Sequence, residues 1–281
     1  MNQNPNVTTK SPTDSDKKFE TSNKSVLRIW DEIQRVQTDF CFAQEISAYY
    51  MSDDWVNNAR LILDVGTGNG YFLSLLQKHF PDKDYTGIDF SKELIDIAKS
   101  NICSPNIHLN AQDYFSITGV YDFVIMRLFW QHLPSISLTD ALNKLAEITK
   151  PGSCVLICDA YDESRLFVPD LPEFKKVITA YTHHQTTLQR NRNITATLLD
   201  WVQSTTMWQV GCNIPLILPS SIPGNLDRYK RIYELWIELF ECLGELSIDF
   251  TPAKEELACW MKKERAYTQA GLRVIRLDRI T

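Results

Sequence analysis

The stretch Leu61-Ile62-Leu63-Asp64-Val65-Gly66-Thr67-Gly68-Asn69-Gly70 decides the fold. Its first half is a short apolar run interrupted by one acid. Its second half places glycine at every other position, and a helical pattern then runs from Gly70 to Phe80. A strand that opens through glycines into a helix puts bare backbone at the carboxyl edge of a sheet, where α/β folds bind ligands. The spacing bears on which ligand. A dinucleotide fingerprint is GxGxxG/A, with a third small residue for tight helix packing. Here the glycines make GxGxG, and the position that needs the small residue holds Tyr71. The turn is better suited to a ligand that has no pyrophosphate.

Working outward, β-rich runs alternate with helical ones. Tyr85 to Ile88, Ile107 to Leu109, Phe123 to Met126 and Cys154 to Cys158 read as strands, and Lys92 to Ser100 and Leu138 to Thr149 as helices. That alternation implies right-handed crossovers and a parallel sheet covered on both faces, a doubly wound architecture. Pro81 and Pro151-Gly152 stop the helices before them, and Ser91 and Ser137 fit as N-caps. Upstream, Val26, Ile29, Trp30, Ile33, Val36 and Gln37 recur at helical spacing, and a second amphipathic segment carries Ile46, Tyr49, Tyr50 and Trp55. From Asp162 the rhythm breaks. Helices are expected over Leu171 to Leu188, Thr195 to Ser204, Asn225 to Leu243 and Pro252 to Gln269, with extended runs at Trp208 to Leu218 and Leu272 to Leu277.

Length and composition set the limits. The chain has 281 residues, 44% of them hydrophobic and 23% charged, as in a globular protein able to bury a core. It reads as a disordered leader, 1–25, and one domain, 26–281. That domain comprises N-terminal helices (26–59), an α/β core (60–160) and an elaboration (161–281). The longest apolar runs, such as Leu61 to Val65, fall far short of the roughly 20 residues of a membrane helix, so no membrane span is expected. The leader is rich in Asn, Ser, Thr and Lys without the apolar centre of an export signal. Seven cysteines form no CxxC pair and suggest neither a disulfide framework nor a zinc site, which fits a cytoplasmic location. A net charge of −6 lowers the expectation of a nucleic-acid partner and leaves a small molecule or a protein as the better default.

Asp89 closes the second strand, 25 residues after Asp64, where an acid can accept both hydroxyls of a ribose. An acid near the helix start at Ser91 would have an ordinary electrostatic reason to be there too. The strand-end setting favours the ligand reading.

Taken in order, Asp64 to Gly70, Gly87-Ile88-Asp89, Ala111-Gln112-Asp113-Tyr114, Tyr121-Asp122-Phe123-Val124 and Lys150-Pro151-Gly152 resemble the motifs of class I methyltransferases dependent on S-adenosyl-L-methionine (SAM). The set spans Leu61 to Asp159, about a third of the chain, and is more specific than any one member. The resemblance implies a Rossmann-like, doubly wound, seven-stranded, mostly parallel sheet. N-terminal helices and a late helical insertion would form a lid, with SAM as cofactor and S-adenosyl-L-homocysteine as product. It places Asp64 and Gly66 against the methionine part of SAM with Gly68 and Asn69 beside it. Asp89 would lie on the ribose, Phe90 on the adenine, Asp113 at the adenine amino group with Tyr114 alongside, and Arg127-Leu128 at the sulfonium. One departure is the stretch of about fifty residues, Pro219 to Gly271, where the family commonly has a short hairpin between its last two strands.

Methyl transfer from a sulfonium is an in-line displacement, so the protein mainly aligns the reactants and excludes water. If the acceptor is a hydroxyl, a base helps. His132, in Trp130-Gln131-His132-Leu133-Pro134, is the best-placed candidate, with packing as its competing role. Tyr161, and Asp159 before it, follow the fifth strand and are candidates for the same cleft. His183 and His184 are adjacent on a helix, so at most one could face a site. No convincing acid cluster follows the fourth strand, and no metal is expected. Trp30, Tyr49, Tyr50, Trp55, Tyr181, Trp201, Trp208, Tyr229, Tyr233 and Trp236 are numerous enough to line an apolar pocket. The expectation is methylation of an O or N atom of a small, partly hydrophobic molecule such as a secondary metabolite. A protein or RNA acceptor, or a SAM-binding protein with another chemistry, are the alternatives, and a homodimer is an open possibility.

Overall fold

The computed structural model describes residues 24–47, 55–133 and 138–281. The leader through residue 23, Tyr49, Tyr50, Pro134 and Ser137 lie outside the described residues.

Among the described residues, two helices, α1 (Lys24–Glu45) and α2 (Trp55–Asn58), precede the sheet. The core then runs β1 (Leu61–Val65), α3 (Tyr71–His79), β2 (Asp84–Asp89), α4 (Lys92–Asn101), β3 (Ile107–Ala111), β4 (Tyr121–Arg127), α5 (Leu138–Glu147) and β5 (Thr149–Ala160). Ser91 caps α4 as expected, its hydroxyl accepting from Leu94 N at 3.2 Å. The remainder comprises β6 (Leu166–Val168), α6 (Pro172–Thr187), α7 (Ile194–Val202), β7 (Trp208–Pro219), α8 (Asn225–Leu243), α9 (Thr251–Trp260) and β8 (Tyr267–Arg279).

All eight strands form one sheet in the order β3-β2-β1-β4-β5-β8-β6, with β7 also on β8. β1 to β5 are parallel, and β8 runs antiparallel to β5, β6 and β7. Among the described residues the strands number eight, not the seven expected. The addition is the three-residue β6, which pairs with a stretch of β8 that β5 does not reach: Leu166 to Val168 lie opposite Gln269 to Tyr267, just beyond the segment that serves β5. Since β7 takes up the opposite edge of β8 along nearly its whole length, β6 extends the line of β5 past a short 3-10 turn at Asp162–Ser164.

The long insertion leaves the sheet edge intact. β7 and β8 pair from Trp208 opposite Arg279 to Pro219 opposite Gln269, and α8 and α9 loop out between them. The helix expected over Pro252 to Gln269 stops at Trp260, because Tyr267 to Gln269 belong to β8. There the ladder to β6 and the bond from Thr268 N to Ser220 Oγ at 2.9 Å satisfy the backbone.

Alternation along the strands sorts the core onto two faces. Leu63, Val65, Val124, Met126, Val155 and Ile157 pack on one side with Leu142 and Leu145 of α5 and Leu198 of α7. Ile62, Phe123, Ile125 and Leu156 pack on the other with Leu73 and Leu76 of α3. A third, small core joins Val26, Ile29 and Ile33 of α1 to Leu235 and Leu239 of α8. It fixes these two helices to each other above the carboxyl edge of β1 and β4. That edge is the point where strand order reverses, the place where open α/β sheets bind ligands.

Candidate active site

The turn after β1 is built for close approach. Gly66 N and Thr67 N donate to Ile88 O at 2.9 and 2.8 Å, tying the turn to β2. Gly66 has φ of +73°, and a Cβ there would come within 2.8 Å of Phe129 Cδ2. Gly68, at φ +56°, is covered by the Gln34 side chain of α1, which a Cβ would strike. Gln34 Oε1 accepts from Asn69 N at 2.8 Å. The Asn69 amide is turned the same way, donating to Asp31 Oδ1 at 2.7 Å and accepting from Tyr71 N at 3.0 Å.

Around this turn lies a cavity of about 1100 Å3. Asp64, Gly66, Asn69, Asp89 and Phe90 line it, as do Asp113, Tyr114, Arg127, Leu128 and His132. Two of the expected site residues do not. Gly68 is shut off by Gln34, and the Tyr161 ring lies under the Arg273 guanidinium at 5.2 Å, away from the cavity. Asp159 is also absent from the lining: its carboxylate is fully buried, accepting from Gln131 N at 3.1 Å and Ala160 N at 3.0 Å. His183 is exposed and His184 pairs with Glu245 at 3.1 Å, so neither enters.

The acids at the turn are held in different ways. Asp64 accepts from Thr67 Oγ1 at 2.7 Å, and burial pushes its pKa up to about 6. Asp89 accepts from Gly68 N at 3.0 Å and from Ser91 N at 2.9 Å. Burial again raises its pKa to about 6, partly offset by those backbone donors. Each oxygen takes one backbone hydrogen bond and keeps acceptor capacity for a ligand. Beside it Phe90 is 52% exposed, a large apolar ring standing free at the cavity. Asp113 caps a 3-10 turn through Phe115 N at 2.8 Å, and the Tyr114 ring meets Phe129 edge-on at 5.5 Å.

At the end of β4 the geometry departs from expectation. Arg127 does not offer a free charge: its Nε sits 3.0 Å from Glu45 Oε1, and its guanidinium lies 5.0 Å from the Phe72 ring centre. Such neutralisation suits a border with a sulfonium, which an unpaired guanidinium would repel. Leu128 follows with φ of +53°, held by its N–H to Cys158 O at 2.7 Å. A left-handed non-glycine residue carries strain of about 1–2 kcal/mol, and here it stands on the cavity wall. His132 has a pKa lowered to about 3, first by burial and then by Arg190 and Arg192. Its ring meets Trp30 edge-on at 6.4 Å. No hydrogen bond orients it among the described residues.

Beyond His132 the cavity widens between α1, α6 and α8. Tyr181 stacks on Phe240 at 4.7 Å, Trp236 lies against Trp30 at 6.0 Å, and Phe40 meets Tyr229 at 4.6 Å. Of the aromatic residues expected to line a pocket, Trp30, Tyr181, Tyr229, Tyr233 and Trp236 do so, whereas Trp55, Trp201 and Trp208 do not. The Tyr229 hydroxyl bonds Leu218 O and Ala270 N, and that of Tyr233 bonds Thr268 Oγ1 at 2.8 Å, so these rings present carbon to the interior.

Sequence reasoning missed Asp31, Gln34 and Glu45 on α1 and the arginines of the elaboration. Their partners are far away in the chain, and only a polar Asp31-x-x-Gln34 row facing the turn hinted at them.

Residues 44–206, more than half of the chain, match the family model described as a methyltransferase domain. The chain belongs to the methyltransferase-domain family. Its kind is the class I, SAM-dependent methyltransferases, and SAM is the cofactor of the site. The residues fit it: Asp89 keeps acceptor capacity, Phe90 offers a free ring, and Gly66 leaves space where a side chain would block the turn. The chain is 32% identical over 108 residues to a malonyl-[acyl-carrier protein] O-methyltransferase of Priestia megaterium (strain DSM 319 / IMG 1521), covering 38% of this chain and 39% of that one. It is 26% identical over 136 residues to a demethylmenaquinone methyltransferase of Staphylococcus aureus (strain JH9), covering 47% and 53%. The match therefore spans only about half or less of these relatives' lengths. A solved Bacillus halodurans C-125 protein with a provisional methyltransferase assignment shares the fold, with a TM-score of 0.51 and 14% identity over 80% of this chain and 94% of that one. No helix among the described residues is long and apolar enough to cross a membrane.

Proposed function

We propose that residues 26–281 act as one methyltransferase domain that moves a methyl group from SAM to an O or N atom of a small, partly hydrophobic molecule. The observation that carries this reading is the continuity of the cavity from the glycine turn to the aromatic compartment. Its volume, about 1100 Å3, exceeds the roughly 300–1000 Å3 of a pocket for one drug-sized ligand, which suits a donor and an acceptor side by side.

When bound, SAM supplies an electrophilic methyl carbon on a sulfonium. The chain's own residues do the rest. Asp89 accepts from the ribose, Phe90 and Tyr114 flank the adenine, and Asp113 takes its amino group. Asp64 and Gly66 lie along the amino-acid end. The Arg127–Glu45 pair leaves the methyl end free of an opposing charge, and α1 and α8 exclude water. His132 forms wall rather than base in this reading, because its protonated form is strongly disfavoured and no hydrogen bond among the described residues orients the ring.

Of the relatives, the one named for demethylmenaquinone supports a small-molecule acceptor, and the one named for a malonyl-[acyl-carrier protein] supports a small acyl group borne on a carrier. Cytoplasmic residence belongs to the same proposal, supported by seven cysteines that are all free. The test is incubation of purified protein with methyl-labelled SAM and small-molecule extracts. Label in small molecules is expected; label confined to protein or RNA, or no transfer despite SAM binding, overturns the reading.

A further inference from the structure

The elaboration after β5 brings Arg165, Arg192 and Arg228 to the cavity wall, and among the described residues it contributes a single carboxylate there, Asp162. This excess of positive charge sits in a chain whose net charge is −6. Asp162 is shared: it pairs with Arg192 at 2.6 Å and with Arg165 at 2.5 Å. One acid cannot neutralise both. The Arg228 guanidinium has, among the described residues, only the Asn225 amide oxygen, at 3.2 Å, as a hydrogen-bond partner. Arg165 Nε is buried and makes no hydrogen bond among them. A buried guanidinium N–H without an acceptor is costly, and an arriving anion relieves that cost.

The position of these arginines matters as much as their charge. Arg192 Nη1 donates to Gln131 Oε1 at 2.9 Å, and Gln131 stands next to His132 in the turn after β4, which the proposed function sets at the methyl end of the cofactor. Its guanidinium also lies 5.3 Å from the Tyr181 ring, which opens the aromatic compartment. The cationic rim therefore separates the aromatic compartment from the methyl end. The tyrosine hydroxyls deeper in are already bonded to protein partners, so the rim is where a polar head group would be held.

We infer that the acceptor is an apolar or aromatic carboxylic acid, and that its carboxylate oxygen itself receives the methyl group, giving a methyl ester. The inference rests on the small-molecule reading above. In the step, the carboxylate oxygen forms a bond to the methyl carbon while the carbon–sulfur bond breaks and its electron pair stays on sulfur. An anion and a sulfonium become a neutral ester and a neutral thioether. No proton is released, so no base is needed, which matches a site whose histidine is a poor one.

The experiment uses a matched series: a naphthyl and a dodecyl scaffold, each carrying a carboxylate, a hydroxyl or a primary amine. Binding is read by quenching of tryptophan fluorescence without SAM. Transfer is read with labelled SAM, with a pH indicator in weak buffer, and by alkaline release of volatile label from esters. The carboxylates should bind at least roughly tenfold tighter than their partners, and any transfer should yield alkali-labile product without proton release. Arg165→Gln should erase that preference while Arg165→Lys retains most of it, with SAM affinity unchanged in both. If Arg165→Gln lowers the urea midpoint, Arg228→Gln serves in its place. Equal binding of the three head groups, preferred methylation of the alcohol or amine, or release of one proton per methyl overturns the inference. SAM binding with transfer to an alcohol or amine would leave the small-molecule reading standing.

Discussion

Glu45, in the last turn of α1, holds Arg127, at the end of β4, in an ion pair at 3.0 Å with their side chains only 2% and 9% exposed. The pair ties the helix over the cavity to the strand that forms its floor. Glu45→Ala leaves a buried guanidinium without a counter-charge, which costs about 3–5 kcal/mol. Urea unfolding should show that loss, and amide exchange should rise first in α1. A change below about 1 kcal/mol would mean that the pair is solvated in solution.

Gly68 sits at φ +56° beneath Gln34. Gly68→Ala meets both a strained backbone and the Gln34 amide, so it should displace the turn and abolish measurable SAM binding in calorimetry. Adding Gln34→Ala removes the clash and leaves the backbone strain of about 1–2 kcal/mol. The double variant should therefore recover binding only in part. Full recovery would assign the whole defect to the side-chain clash.

Asp89 holds the turn through Gly68 N and Ser91 N, and in the proposed function it also accepts from the ribose. Asp89→Asn puts an amide donor against one of those backbone donors. SAM affinity should fall roughly tenfold to a hundredfold, about 1.5–3 kcal/mol for hydrogen bonds to a charged group. Undiminished affinity by calorimetry would remove Asp89 from the ribose site.

The pKa of His132 falls from 6.5 to about 3 on folding. Below pH 6.5 the unfolded chain takes up a proton that the folded chain refuses, so stability declines as pH drops and the loss is complete near pH 3. The slope is up to about 1.4 kcal/mol per pH unit. Buried Asp64, Asp89 and Asp159, each raised to about 6, act in the opposite direction. The folded state holds their protons from about pH 6 downward, and stability rises until the unfolded acids protonate near pH 4. His132→Gln should thus gain on the wild-type protein by about 2 kcal/mol between pH 6.5 and pH 5. Parallel urea midpoints across that range would mean that the ring is hydrated.

The fold is legible where local rules and tertiary needs agree. Gly66 and Gly70, Ser91 and the strand-end acids announce themselves because backbone geometry and capping act within a few residues. The strand β6 is not, because three residues carry no period and owe their state to Thr268 and its neighbours across the ladder. The helical spacing through Gln269 misleads for the same reason: a sheet partner, not propensity, claims Tyr267 onward. At the site, Asp64, Asp89 and Phe90 can be placed from the motif order. Tyr161 cannot, since which way a side chain turns after β5 depends on Arg273, over a hundred residues later. The arginine rim is equally hidden, as its members meet only once α6, α8 and the turn after β4 converge.

The small core of Val26, Ile29 and Ile33 with Leu235 and Leu239 joins the beginning of the described chain to a segment some two hundred residues on. Its five side chains, with Arg231 on Glu32 at 2.6 Å, form a clasp separate from the sheet's own hydrophobic layers. A clasp of that size can release without melting the sheet. Exchange of reactants then becomes a matter of how often α1 and α8 part as a unit. Trimming a methylene at Ile33 or Leu239 would act on residence time, a kinetic setting placed well away from any atom that reacts.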